Sequence, residues 1–510
     1  MGRFLLATLN IDAILGEVTI RQRKRKLEEM AQGKGLSDAY MATINRAKAQ
    51  KGNKSALGMK VLTWVFYSER ALRAEEICHA FGVEIGSAEL DPENIPALRT
   101  LLASSLGLVT LDECSSTVGV VHYTLYQYLF RNPALFHSPH STIVEVCLTY
   151  LNFGSLWDLS PTLDSAPSSF PLLEYSSLYW TEHAREGMTE NVKILALRLL
   201  DRFDKHIASR LLSLHYNESS PTGPYFVEAR IPTGFTLLHG VAYLGIVEIF
   251  AGVLEMKEWD INATDSAGST ALTWAASKGY EDIVKMLLER DDVNLDHAET
   301  EYGRTPLSWA AENGHEGIVK MLLEREDVNP EHPDTKLGRT PLTLAAQNGH
   351  EEVVKMLLRR DVTPYPVDTF YGQTPLSCAA ENGHEGVVKM LLERKDVNPA
   401  LRDTKYGRTP LPRAAQNGHV GVVGIPLQRP EVIIDILDKT NQTPLSLASS
   451  EGHDEVAKML QDKSQAAGRG HWGSLPPADP NEHERVLQLK GLLPKAAENG
   501  HSPTKPSALL

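Results

Sequence analysis

The sequence predicts a mainly α protein: a helical N-terminal half that holds one small β-hairpin, then a stacked helical solenoid. Two observations predict this. The stretch "TPLSWAAENGHEGIVKMLLEREDVNP" (305–330) returns almost unchanged at 374–399, and its opening recurs at Gly234, Gly268, Gly303, Gly338, Gly372, Gly407 and Asn441, at spacings of 34 or 35 residues. Such a period marks a repeat architecture. Before residue 231 the apolar residues keep helical spacing, interrupted by two short runs that read as strands.

The bulk properties exclude several function classes. The formal net charge of −14 opposes nucleic-acid binding, which needs a basic face to displace counterions. No apolar run approaches the roughly 20 residues of a membrane span. Cys78, Cys114, Cys147 and Cys378 are too scattered for a disulfide framework or a CxxC metal site. A reducing interior is therefore expected, cytoplasmic, with the nucleus as the alternative. That alternative rests on the basic run Arg21–Lys26, which also reads as a solvated helix face continuing into "KLEEM".

The first residues, "MGRFLLATLNIDAILG", are read as folded protein. Asn10 and Asp12 interrupt any signal-like apolar core, and Leu6 stands where myristoylation wants Ser or Thr. Over 57–135, "LGMKVLTWVFYS", "RAEEICHAFGVEI" and "PENIPALRTLLASSLG" read as three helices. "LVTLD" and "VGVVHYT" then read as paired strands, and "LYQYLF" opens a further helix. Three helices and a hairpin make a winged-helix domain. Its third helix carries Arg99 as its one basic residue, with Asp91 and Glu93 at its start, so DNA binding is not expected.

This order resembles the winged helix that follows the nucleotide-binding domain in NACHT proteins, in the form named after glycosylphosphatidylinositol inositol-deacylase. Residues 1–56 resemble the helical end of a NACHT domain. Residues 136–230, with "STIVEVCLTYLNFG" and "PLLEYSSLYWTEHA", resemble the helical connector of fungal NACHT–ankyrin proteins. The resemblance implies a truncated member of that family, whose members act as immune-like sensors. It also implies that His122 could meet a nucleotide; the other reading is a strand histidine satisfied locally. No G-x-x-x-x-G-K-[ST] phosphate loop occurs: "AQGKGLS" and "KGNKSAL" both miss the spacing. Neither G-x-S-x-G nor H-E-x-x-H is present. No enzymatic activity, cofactor or metal is expected.

Within each repeat, Thr305 reads as a helix N-cap and Pro306 as the first helical residue. Leu307, Ala310 and Ala311 form an apolar stripe, and Gly314 ends the helix. Ile318, Val319, Leu322 and Leu323 line a second helix, and "DVNP" stops it before an extended finger. One such unit cannot bury its apolar faces alone, whereas stacked neighbours bury them jointly. The Gly-x-Thr-Pro-Leu openings, the paired alanines and the Asn-Gly-His turns resemble the ankyrin repeat over 231–463.

Three departures from that pattern are expected to matter. Ser308, Thr343, Ser377 and Ser446 replace the usual histidine after Thr-Pro-Leu, which only His239 retains, so an inter-unit hydrogen bond is expected to be lost. The segment 329–338 is longer than usual, so the fingers are expected to project further. In the sixth unit Pro412 enters the first helix and "GIPLQRP" replaces the second-helix core, predicting a kink or weak joint, since an interior proline costs about 3 kcal/mol. The histidines at 315, 350, 384, 419 and 453 fall one per unit, too far apart to share a metal with bonds near ~2 Å, and read as turn residues.

The resemblance implies a protein partner held on fingers and first helices. The candidate contacts are Trp274, Trp309 and Leu344 at one equivalent position, Glu312, Gln347 and Glu381 at another, and the finger residues Tyr302, Tyr371 and Tyr406. The other reading of the tryptophans is packing between units. Residues 464–510 read as a flexible tail with a short helix at "ERVLQLKGLL" and a repeat-like echo, "PKAAENGH". The expected function is a protein–protein interaction scaffold. The alternative is a nucleotide-driven switch whose NTPase module lies outside this chain.

Overall fold

The computed structural model describes residues 19–31, 36–160, 163–218, 232–256, 259–360, 362–428 and 433–467. The chain start, the short helix expected at "ERVLQLKGLL" and the repeat-like echo lie outside them.

The N-terminal half opens with α1 (Ile20–Ala31), α2 (Leu36–Lys48), α3 (Lys54–Tyr67), β1 (Leu72–Arg73), α4 (Ala74–Gly82) and α5 (Leu98–Ser104). β2 (Val109–Asp112), β3 (Thr117–Val120) and α6 (Tyr123–Phe130) follow. The strands form one antiparallel sheet in the order β1-β3-β2, with Leu72 opposite Val118 and Leu111 opposite the same residue. The two-residue β1 was not expected; it is too short to show any alternation. Glu76, fully buried on α4, fixes it there. Its carboxylate accepts from Arg70 and Arg73 at 2.8 and 2.9 Å and from the Arg73 backbone N–H at 2.7 Å.

The single helix expected over 92–107 is instead a 3-10 turn at Pro92–Asn94 followed by α5. Pro96 lacks a backbone donor and biases the residue before it away from helical angles, so Ile95 and Ala97 stay extended. The second strand also stops earlier than expected. His122 is the N-cap of α6, where Nδ1 accepts from the Thr124 backbone N–H.

The connector consists of α7 (Pro139–Leu151), the single turn α8 (Gly154–Trp157), α9 (Leu173–Glu186), α10 (Glu190–Leu200) and α11 (Ile207–Glu218). α7 is buried from Val146 to Leu151 without a break, as suits a helix enclosed by α3, α9 and α10. Trp180, Tyr175 and Tyr150 are among the largest fully buried side chains of this core, which runs on through Leu200 and Phe203 into the first repeat. Arg185 on α9 donates to the Leu244 carbonyl at 2.8 Å.

Seven helix pairs follow. They are α12 (Leu237–Leu244) with α13 (Val247–Glu255), α14 (Ala271–Lys278) with α15 (Glu281–Leu288), α16 (Pro306–Asn313) with α17 (Glu316–Leu323), and α18 (Pro341–Asn348) with α19 (Glu351–Arg359). The last three are α20 (Pro375–Glu381) with α21 (Glu385–Glu393), α22 (Pro410–Gln416) with α23 (Val420–Gly424), and α24 (Pro444–Ser450) with α25 (Asp454–Ala467). First helices stack on first helices and second on second. Ala310 and Ala311 are fully buried at such a contact, and larger side chains would hold the helices apart. Thr305 caps α16 as expected, accepting from Ser308 N–H at 3.3 Å. α25 runs past residue 463, the expected end of the repeats.

The sixth unit corrects one expectation and keeps another. Pro412 does not break α22, because it occupies the third helical position, where a backbone N–H has no intrahelical partner to lose. What it removes is the cap: Thr409 makes no side-chain cap bond, whereas Thr305, Thr340 and Thr374 each make one. The second helix is shortened. α23 has five residues against eight in α17 and nine in α21, and a 3-10 turn at Pro426–Gln428 replaces its last turn. A small apolar gap of about 10 Å³ remains between Leu392, Leu411 and Pro426.

Two measurements check this account. Pro412→Ser restores the missing donor and should stabilise the chain by about 1 kcal/mol, whereas relief of a broken helix would give about 3. In native-state hydrogen exchange, α24 and α25 should open at lower free energy than α16 and α17. Equal protection in both pairs would contradict a weak joint at α23.

Candidate protein-binding face of the repeats

Each finger is a turn closed around one buried acid. Asp334 Oδ1 accepts from Leu337 N–H at 2.7 Å, and Asp403 accepts from Tyr406 and Arg408 N–H at 2.6 and 3.0 Å. Asp438 accepts from Thr440 and Gln442 N–H at 2.7 and 3.0 Å. In the third unit the longer Glu299 does the same for Tyr302 and Arg304. All four acids are buried, and the backbone donors they satisfy would otherwise be orphaned. Sequence reasoning missed them. Their signal is the recurrent acid four residues before the turn glycine, as in "DTKLG" and "DTKYG".

Neighbouring fingers are hooked together by backbone bonds. Thr335 N–H donates to the Tyr302 carbonyl at 2.7 Å, Thr404 to Tyr371 at 2.7 Å, and Lys439 to Tyr406 at 2.7 Å.

The turn histidines tie the helices across the same junctions. Nε2 of His350 lies 2.9 Å from the Glu312 carbonyl, that of His384 2.8 Å from Gln347, and that of His419 2.9 Å from Glu381. Each ring lies over the glycine of the preceding unit. At Gly314, whose φ is +74°, a Cβ would fall 2.4 Å from His350 Nδ1, so both the backbone and the neighbour demand glycine. His239 alone reaches forward as expected, to the Ala263 and Ser269 carbonyls at 3.0 and 3.1 Å. Ser308 and Ser377 bond only to Thr305 and Thr374 of their own units.

The nine expected contact residues separate into three groups. Trp309 and Leu344 are 9 % and 1 % exposed, so their column is a packing layer. Trp274, half-buried, donates Nε1–H to Asp265 and meets Tyr243 edge-on at 5.2 Å. Glu312, Gln347 and Glu381 are half-buried and already engaged by Arg304, Arg339 and Arg413 at 2.6, 2.6 and 2.7 Å. Burial pushes the Glu312 carboxyl upward, with Arg304 opposing. The tyrosines are half-buried beneath cations. Lys336 lies over Tyr302 at 3.8 Å and Lys405 over Tyr371 at 4.7 Å, while Arg408 covers Tyr406 at 4.8 Å. Phe370, absent from the expected set, is 62 % exposed beside Tyr371. Among the described residues no group of histidines, cysteines and acids could hold a metal, and no helix is long and apolar enough to cross a membrane.

The acid of the seventh finger makes stability depend on pH. Burial works to raise the Asp438 carboxyl, but bonds from Thr440, Gln442 and Arg408 outweigh it and hold the group at about 2. Its stabilisation is therefore complete above the unfolded value near ~4 and is lost as pH falls through about 2. Asp438→Asn should cost about 2 kcal/mol at pH 7, and unfolding titrations should show the gap to the parent closing over that acid range.

The family model described as "Ankyrin repeats (3 copies)" matches twice, over residues 237–334 and 326–403. No curated protein matches the chain. Among solved structures, the human ASB11 ankyrin repeat domain is similar at 22 % identity, covering 47 % of this chain and 99 % of that one, with a TM-score of 0.38. The C-terminal region of this chain carries ankyrin repeats.

Proposed function

We propose that this chain is a recognition scaffold that holds a protein partner on the fingers and first helices of residues 231–463. One observation carries the reading: a strip of finger tips runs in unbroken register over a constant core. Ala310–Ala311, Ala345–Ala346 and Ala379–Ala380 repeat beneath it, while the tips above change from Glu301 to Lys336 to Phe370. A stacked array of this kind presents an extended surface suited to a protein partner.

The N-terminal half is read as the arm that carries this surface. The order helix, strand, helix, helix, strand, strand, with sheet order β1-β3-β2, favours a winged helix over 57–135. The helical segments at 1–56 and 136–230 flank it, and 464–510 follow the repeats. With the resemblance to fungal NACHT–ankyrin proteins, the reading extends to an immune-like sensor in the cytoplasm, without catalysis. A nucleotide-switch role would call on His122, whose Nδ1 is engaged by Thr124 at 2.8 Å.

Two experiments test the proposal. A fragment ending before Gly234 should lose the partner captured by the full chain; full retention would remove the solenoid from the function. The purified chain should not hydrolyse ATP or GTP measurably. Micromolar nucleotide binding in calorimetry, abolished by His122→Ala, would revive the switch.

A further inference from the structure

We propose that the fingers of the fourth to seventh repeats dock an extended acidic segment of the partner, and that an apolar side chain of that segment seats on Phe370. This rests on the scaffold reading above and adds the partner's chemistry.

The tip position, two residues before each turn glycine or its equivalent, reads Ser266, Glu301, Lys336, Phe370, Lys405 and Lys439. Phenylalanine thus stands among lysines at the one tip that is both large and apolar. Because successive fingers are hooked by backbone bonds, these tips are held side by side. The lysines are ordered before any partner arrives. Lys336 rests on Tyr302, Lys405 lies between Tyr371 and Tyr406, and Lys439 Nζ donates to the Thr404 carbonyl. A preordered charge loses less entropy on binding than a free one.

The strip is cationic on an acidic molecule. Glu312 and Glu381 nearby are neutralised by Arg304 and Arg413, the finger acids are buried, and Glu301 faces Lys336 at 3.7 Å. The exposed acids Glu316, Glu326, Asp327, Glu351, Glu352 and Glu385 sit on second helices and loops instead. Such an arrangement steers an acidic segment to the fingers and repels it elsewhere. A long polyanion would feel the whole negative charge, and it has no use for Phe370.

The fifth finger also breaks the internal pairing. Arg304 Nε lies 3.8 Å from Asp334 Oδ2, and Arg408 Nε 2.8 Å from Asp438 Oδ2. At the equivalent junction Asp368 Oδ2 is buried with no hydrogen-bond partner, and Arg339 Nε, like Arg304 Nε, has none either. Cys378 is the small member of the column that holds Trp309, Leu344 and Arg413 elsewhere. An unmet carboxylate oxygen of Asp368 and the exposed Phe370 therefore coincide at one finger, two residues apart in sequence.

The test pans a random twelve-residue peptide display library against the full chain, then measures binding of enriched peptides by fluorescence anisotropy. Enriched peptides should be net acidic with at least one aromatic or long aliphatic residue. Their affinity should fall about tenfold or more with Phe370→Ala or Lys405→Glu. Both side chains are exposed, so melting curves should match the parent; Tyr123→Ala, at another exposed aromatic, should leave binding unchanged. Basic or wholly polar peptides, no enrichment, or indifference to both substitutions would overturn the proposal. Peptides insensitive to the fingers but sensitive to changes elsewhere on the repeats would end it and leave the scaffold reading intact. Binding only of anionic vesicles or DNA would end both.

Discussion

A helical hairpin of this length has more apolar surface than it can cover, and the C-terminal half of the molecule follows from that shortage. The shared face between units is therefore the primary interaction. It requires alanine where first helices touch, branched and long aliphatic residues between second helices, and a neighbour on each side. The polar features serve it. Histidine bonds fix each helix pair on the one before, and buried acids close the fingers so that no backbone donor is stranded at the junction. The N-terminal half covers one open end: Leu200 and Phe203 continue the core into the first unit.

Much of this was legible from residues alone, because repetition amplifies local signals. A threonine, proline and glycine at fixed offsets announce cap, first turn and stop, and several copies exclude coincidence. The hairpin of β2 and β3 was visible for the ordinary reason that short β-rich runs flank a turn. What escaped depends on closure in space. The finger acids look like solvated charges in a string and become internal acceptors only when the turn folds over them. Pro412 was misjudged because its effect depends on a count from the cap, and the third position tolerates it. Conversely, Pro96 was underweighted and divides what reads as one helix.

The candidate face was half legible. Equivalent positions were identified correctly from the alignment of copies, but equivalence does not say which layer a position occupies. Trp309 and Leu344 proved to be inside, Trp309 with Arg304 lying over its ring. Phe370 lay one residue from an expected contact, in a slot where Glu301, Lys336, Lys405 and Lys439 carry charge in other units. A substitution against the periodic background, rather than the background itself, was the better guide to surface chemistry.

The glycine beneath each turn histidine has a consequence for how such an array can change length. Every junction joins the glycine of one unit to the ring of the next, as Gly314 does with His350. Adding or removing one whole unit creates a new boundary of the same kind, with an empty place where a ring must lie. A fractional change would set a bulkier residue against that ring and disrupt the seam. The array is thus modular in whole steps only, and the near-identical stretches 305–330 and 374–399 are interchangeable parts in that mechanical sense.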